Sequence, residues 1–193
     1  INRQQNVLAL LYGFTARQES ELIMEKVLCN PDVPPISTPY FEFYELMAMC
    51  EYGNIGYAKE MLQNYWGGMI KLGATSIWEA FDPSQIGAEH YGMYGHSFGK
   101  SLCHAWGSGP IYILGRYVAG VKADAPGGDT FEIRPAFGIY KSFSAVVPVK
   151  NGRVEIRLEG NTVRVRADCD GGTLICGGRR YRIKKGEDVS ASI

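Results

Sequence analysis

Apolar residues recur at helical spacing at the start of the chain. In residues 2–12 they share one helical face, which predicts a first helix. Thr15-x-x-Gln18 matches a capping box and predicts the start of a second helix, which is broken by the run from Asn30 to Pro35.

The third predicted helix is apolar on nearly every face. Thr38 and Pro39 are typical of an N-cap and a first-turn proline, and the helix that they open runs to Tyr52 before Gly53 ends it. A helix without a polar face has to be covered on most sides. The next predicted helix begins near Asn54 and has a one-sided apolar stripe. A buried helix followed by a half-exposed one favours a layered helical toroid.

The segment 71–102 has no periodic pattern and contains five glycines. A loop of about 30 residues inside a compact domain is uncommon and is often functional. A last apolar helix is predicted from about His104 to Val118. We interpret Gly107-Ser108-Gly109 as a close-packing or capping point near its start.

Beyond residue 119 the apolar positions alternate with a period of two. Short strands are predicted at residues 131–134, 153–158, 162–167, 173–175 and 180–183. The pair Gly177-Gly178 is a two-residue hairpin signal. These strands predict a small antiparallel sandwich. Four arginines fall opposite the apolar rows, and we interpret them as a solvated sheet face in preference to a polyanion site: Arg153, Arg157, Arg164 and Arg166.

The composition changes at the same place. Residues 1–118 hold seven basic and eleven acidic residues and 18 of the 23 aromatic ones, whereas residues 119–193 hold thirteen basic and nine acidic residues. We therefore predict two domains, 1–119 and 120–193. The formal net charge of the 193 residues is zero, which argues against a general nucleic-acid or acidic-membrane binder.

Several common kinds of site are absent from the sequence. Five cysteines without a CxxC pair argue against a disulfide framework and a zinc site, and we expect them to be buried or inert. There is no HExxH and no complete P-loop. We expect no metal and no cofactor.

The long loop and the residues just after it hold the densest group of side chains suited to sugar chemistry. The candidates are Trp78, Glu79, Asp82, His90, Tyr91, His104 and Trp106. Aromatic rings stack on the C–H faces of a pyranose, and carboxylates accept its hydroxyls or perform acid–base chemistry. From the residues alone, the alternative stays open that Trp78 is a core residue and Glu79 a surface carboxylate.

Five motifs in order resemble the C-terminal part of bacterial α-L-rhamnosidases, which are six-hairpin (α/α)6-barrel glycosidases. They are Ser37-Thr38-Pro39-Tyr40-Phe41, Tyr65-Trp66-Gly67-Gly68-Met69, Thr75-Ser76-Ile77-Trp78-Glu79, Ser101-Leu102-Cys103-His104-Ala105-Trp106 and Leu114-Gly115-Arg116-Tyr117. Phe131-x-Ile133-x-Pro135 resembles the β domain that follows the barrel.

The resemblance implies inverting hydrolysis of terminal α-L-rhamnosides without a metal. Glu79 would be the general base, Trp78 a sugar-facing wall, and His104 a hydrogen-bond partner of a sugar hydroxyl. The general acid of such enzymes lies on earlier hairpins of the barrel. The implied architecture is a partial (α/α)6 toroid of about five helices followed by the β-sandwich.

We therefore expect a fragment of a larger catalytic domain that is inactive alone. Its partners would be a rhamnose-containing glycan and the rest of its own domain, and we expect self-association because half a toroid leaves apolar surface uncovered. Three alternatives stay open: a six-hairpin glycosidase for another sugar, a non-catalytic carbohydrate-binding module, and a structural tail. Both a bacterial cytoplasmic and an exported location are compatible with the sequence.

Overall fold

The computed structural model describes residues 1–193, which divide into two compact units, residues 1–111 and 112–193. Helices come first and strands follow, as predicted. No helix is both long enough and apolar enough to cross a membrane. The assignment of domains at residues 119 and 120 stays a prediction.

Five helical segments are present, three of which contain a π-helical turn. They are α1 (Arg3–Leu11), α2 (Arg17–Ile23, with the π turn Met24–Leu28), α3 (Pro39–Glu51), α4 (Ile55–Met61, then Leu62–Trp66 as π turn and Gly67–Lys71) and α5 (Pro110–Ile113, with Leu114–Val118). Thr38 is the N-cap of α3 with Pro39 in its first turn, and Asn54 caps α4 by accepting a bond from the Tyr57 N–H.

Two predicted helix starts were wrong. The capping box of α2 lies one residue later than predicted, because the Ala16 N–H donates to Glu19 while the Thr15 hydroxyl bonds Ser20. The last helix begins at Pro110 and not near His104. Only a short 3-10 turn, Ala105–Gly107, precedes it. A proline favours the first turn of a helix because it has no N–H to leave unpaired there.

Helices α1, α2 and α3 enclose one apolar cluster. Its buried members include Val7, Leu10, Leu28, Ala48 and Met49. Each side chain lies on the inward face of its helix, so the helical period predicted the core of this part correctly.

Charged groups that the sequence analysis did not single out are buried beside this cluster. The Arg3 guanidinium donates to Glu45 Oε1 at 2.6 Å and to the carbonyl oxygen of Leu28 at 2.9 Å. Tyr57 donates to the same Glu45 oxygen. Glu42 is 1% exposed, and its Oε1 has no hydrogen-bond partner. Burial and the neighbouring Glu45 raise the pKa of Glu42 well above its usual range.

The second unit contains two four-stranded sheets around one core. The strands are β1 (Val121–Ala123), β2 (Phe131–Ile133), β3 (Ser142–Val149), β4 (Gly152–Glu159), β5 (Thr162–Ala167), β6 (Gly172–Cys176), β7 (Arg179–Ile183) and β8 (Asp188–Ser192). Their orders are β1-β2-β6-β7 and β3-β4-β5-β8. Buried residues of both sheets share one cluster, including Ile133, Leu174, Ile156 and Val165.

The expectation of an all-antiparallel sandwich was wrong for one pair. Strands β2 and β6 are parallel, whereas every other pair is antiparallel. Between them the chain passes through three strands of the other sheet, and a connection of that length permits a parallel return.

The predicted hairpins and sheet faces are confirmed. Strand β4 pairs with β5 with Leu158 opposite Val163, and Gly177 and Gly178 both have positive φ in the turn from β6 to β7. The four arginines of β4 and β5 are exposed. Two of them pair with acids, Arg166 with Asp188 and Arg153 with Asp168.

Candidate functional site

The loop between α4 and α5 is fastened to the start of α3. The Phe81 N–H and the Tyr65 hydroxyl both donate to the carbonyl oxygen of Ser37, at 3.1 and 2.6 Å. The Trp66 indole N–H donates to the Gly107 carbonyl oxygen at 2.9 Å. A non-periodic segment can hold a defined shape when its backbone groups are paired in this way.

Two stretches of the loop run side by side and bring Glu79 near His104. The Glu79 N–H donates to the Ser101 carbonyl oxygen at 2.9 Å, and the His104 N–H donates to that of Ile77 at 2.8 Å. The sequence had predicted both residues as site residues without showing how residues 25 positions apart would meet. These two backbone bonds supply that connection.

The Glu79 carboxylate is half-buried and held at both oxygens. The Tyr94 hydroxyl donates to Oε1 at 2.5 Å, and the Ser101 N–H donates to Oε2 at 3.1 Å. These two bonds lower the pKa of Glu79, with smaller contributions from His104 and Lys100. The group is therefore ionised at neutral pH, which is the state that a general base requires.

Tyr94 and Ser101 are site residues that the sequence analysis missed. Tyr94 is the one residue other than glycine with a positive φ, at 54°. It forms a two-residue turn with Gly95 between Met93 and His96, which exchange both backbone hydrogen bonds. A Tyr-Gly pair between two polar stretches is a weak turn signal, and nothing in it indicates a contact with Glu79.

Trp78, His90 and Tyr91 form an aromatic layer. Trp78 is 4% exposed, and its ring lies 5.7 Å from that of Tyr91 and 6.5 Å from that of His90. His90 stacks on Phe81 at 5.7 Å. In this structure the Trp78 indole is packed against the rings of Tyr91 and His90, and little of it is accessible to a ligand.

Asp82 and Lys100 are two further charged residues of the loop, and they interact electrostatically. The Asp82 carboxylate accepts bonds from the Ser84 hydroxyl and N–H at 2.6 and 2.8 Å, and these bonds lower its pKa. Lys100 is buried, and desolvation lowers the pKa of its ammonium group, while Asp82 and Glu79 oppose that shift. The Lys100 ammonium group thus interacts electrostatically with both Asp82 and Glu79.

Trp106 offers the open aromatic surface of the site. It is 69% exposed, and its ring lies 4.9 Å from that of Tyr40, which is 40% exposed, and 6.1 Å from His104. Stacking on a sugar requires a ring with a free face, and Trp106 meets that requirement better than Trp78.

The interpretation of Gly107-Ser108-Gly109 as a close-packing point is confirmed. A Cβ at Gly107 would overlap the side chain of Ile77, and one at Gly109 would lie 2.7 Å from the Phe43 ring. These glycines let the backbone before α5 approach α3 and the loop.

The metal-ligating side chains form no cluster. No group of three or more His, Cys, Asp or Glu side chains could hold a metal ion. All five cysteines are free. We expected all five to be buried or inert. Three of them are buried, whereas Cys29 and Cys103 are exposed.

Comparison with solved structures places this arrangement among known folds. A GH78 family rhamnosidase of Bacillus sp. GL1 matches 96% of the chain with a TM-score of 0.71 at 23% sequence identity. The α-L-rhamnosidase from Dictyoglumus thermophilum matches 100% of it with a TM-score of 0.68 at 19% identity. The chain has the fold of part of an α-L-rhamnosidase.

The likeness extends over a minor part of each rhamnosidase. The chain covers 20% of the Bacillus protein and 24% of the Dictyoglumus protein. No protein-family model and no curated protein matches the chain. The resemblance seen in the sequence motifs is thus confirmed by the rhamnosidase fold.

Proposed function

We propose that the chain is the C-terminal part of a glycoside hydrolase that cleaves terminal α-L-rhamnosides with inversion. Glu79 is the general base, and the helices are a segment of an (α/α)6 toroid. The observation that carries the proposal is the ionised Glu79 carboxylate, held at both oxygens by the Tyr94 hydroxyl and the Ser101 N–H, in a chain with a rhamnosidase fold.

In this mechanism Glu79 removes a proton from water as that water attacks the anomeric carbon. Tyr94 and Ser101 each occupy one lone pair of the carboxylate, which leaves a lone pair on each oxygen to accept a bond from water. His104 bonds a sugar hydroxyl, and Trp106 with Tyr40 stacks against the ring. Trp78, His90 and Tyr91 pack together in the loop that carries Glu79, and Asp82 interacts with His90.

The general acid comes from outside residues 1–193. A general acid needs a raised pKa to hold its proton at neutral pH, yet both loop carboxylates with a shifted pKa, Glu79 and Asp82, have it lowered. Glu42 and Glu45 have a raised pKa, but each is 1% exposed and is not accessible to a substrate. Inactivity of the chain alone and its self-association stay predictions of this proposal.

The test is hydrolysis of an aryl α-L-rhamnoside by the longer protein that carries this chain. Glu79→Gln keeps the side-chain shape and removes the base, so kcat is expected to fall about 10²–10⁴-fold. Glu60→Gln, the same change on the exposed face of α4, is the matched control. Full activity of Glu79→Gln would exclude Glu79 as the base. Cleavage of a different glycoside by the wild type would overturn the sugar assignment alone.

A second candidate is a carbohydrate-binding module without catalysis, which the open Trp106–Tyr40 surface favours. Binding of L-rhamnose by the 193-residue chain, lost in Trp106→Ala, combined with an unaffected Glu79→Gln variant of the longer protein, is the result that selects this candidate.

A further inference from the structure

The short hairpin at residues 91–100 presents one tyrosine hydroxyl to Glu79. Met93 and His96 exchange N–H···O bonds of 3.0 Å in both directions, and the Lys100 N–H donates to the Tyr91 carbonyl oxygen at 3.1 Å. A Cβ at Gly99 would overlap the carbonyl oxygen of Met93, so the return strand of the hairpin needs glycine there. The hairpin is therefore closed at its tip and at its base.

Its tip has an unfavourable residue for its backbone conformation. Tyr94 at φ 54° and Gly95 at φ 77° are the two central residues of the turn. Turns with positive φ at both central positions favour Asn or Asp followed by Gly, and an aromatic residue at the first position is costly. Strained positions of this kind cluster at functional sites.

The tyrosine gains no packing that would explain its presence. It is 70% exposed, so burial of its ring contributes little. Its specific contact is the 2.5 Å bond from its hydroxyl to Glu79 Oε1. A smaller residue that suits the turn better could not reach Glu79 from position 94.

We propose that Tyr94 is a positioning residue for Glu79: the left-handed turn holds its hydroxyl against one carboxylate oxygen and aims the remaining lone pairs at the attacking water. This inference rests on the proposed function, because it assigns Tyr94 a part in the same reaction. Ser101 holds the second oxygen, so the two donors together fix the rotation of the carboxylate.

The contact between Tyr94 and Glu79 can be detected through the pKa of Glu79, on which several neighbouring groups act. Tyr94, the Ser101 N–H, His104 and Lys100 all favour its ionised form, and partial burial opposes it. Removing the Tyr94 hydroxyl while the other three remain should move the pKa of Glu79 upward. The contact also raises the pKa of Tyr94 itself.

The first experiment is an NMR titration of the Glu79 side chain in the 193-residue chain. Tyr94→Phe keeps the ring and the backbone strain but removes the hydroxyl, and it is expected to raise the pKa of Glu79. Tyr12→Phe, which removes the hydroxyl of another exposed tyrosine of the same unit, is expected to leave that pKa in place. An unchanged pKa in Tyr94→Phe would overturn the proposal.

The second experiment is the pH profile of kcat/KM for an aryl α-L-rhamnoside with the longer protein. The acid limb is expected to shift to higher pH in Tyr94→Phe, an effect that a merely structural role would not produce. An unshifted limb in an active variant contradicts a positioning role.

The two proposals fail separately. A raised Glu79 pKa in Tyr94→Phe together with an active Glu79→Gln enzyme sustains the contact and overturns the role of Glu79. An inactive Glu79→Gln enzyme together with an unshifted pKa in Tyr94→Phe sustains the function and overturns the role of Tyr94.

Discussion

The two units of the chain place their charges in opposite ways. In residues 112–193 the arginines and acids lie on the sheet surface, and the shared core of both sheets is apolar. In residues 1–111, Arg3, Glu42, Glu45, His90 and Lys100 are all buried. The core of the β unit is therefore apolar, whereas the helical unit also buries charged and polar side chains, and the candidate site lies in the helical unit.

The two units are expected to differ most in the free energy of unfolding that is lost when one ion pair is broken in each. Glu45→Ala leaves the Arg3 guanidinium buried without its partner, and we expect a loss of about 3–5 kcal/mol in the free energy of unfolding. Asp188→Ala removes the partner of Arg166 on the sheet surface, and we expect a loss below about 1 kcal/mol.

Urea unfolding measures both variants. All three tryptophans lie in residues 1–111, so their fluorescence follows the helical unit, and backbone amide NMR follows the strands. Equal losses for the two variants would show that burial of the Arg3–Glu45 pair does not matter, and the contrast between the units would then be wrong.

We expect a smaller difference between the two units in the direction in which their stability changes with pH. Glu42 has a raised pKa, so its contribution to stability is complete below the ordinary glutamate pKa and is lost as the pH rises through the raised value. Glu42→Gln removes that loss, and its stability relative to the wild type should increase from pH 4 to pH 8. Thermal unfolding followed by tryptophan fluorescence gives this comparison.

Glu132 in the β unit is the matched control of opposite sign. Hydrogen bonds from Arg134 and Arg180 lower its pKa, so its contribution is present above the ordinary glutamate pKa and is lost on acidification. Glu132→Gln should therefore lose its disadvantage relative to the wild type as the pH falls. If the stability of both variants relative to the wild type changed in the same direction with pH, the contrast between the two units would be contradicted.

The same contrast explains what could be predicted from sequence. The pair β4 and β5 follows from a period-two pattern with a turn between its halves, and the apolar rows of that pattern are buried. The pattern does not encode strand direction, so the parallel pair of β2 and β6 was missed. Helix positions were predicted by caps and periodicity, except where Gly107, Gly109 and Pro110 delay the start of α5.

The sequence offered candidate residues for the site but gave no information about their geometry. Glu79, His104 and Trp106 lie in one neighbourhood because of the long-range backbone bonds of Ser101 and His104, which leave no periodic trace in the sequence. The Tyr94 contact depends on a single turn conformation. The sequence analysis did not single out Glu42 and Glu45, and the partners of Glu45 come from other helices, Arg3 from α1 and Tyr57 from α4.

The central claim is that Glu79 activates water directly, and the configuration of the first product tests it. Proton NMR of the longer protein's reaction with an aryl α-L-rhamnoside should show β-L-rhamnose before the α anomer appears. This order follows because a single attack by water inverts the anomeric carbon. Initial formation of α-L-rhamnose would contradict the account, since retention needs a carboxylate nucleophile in place of a base.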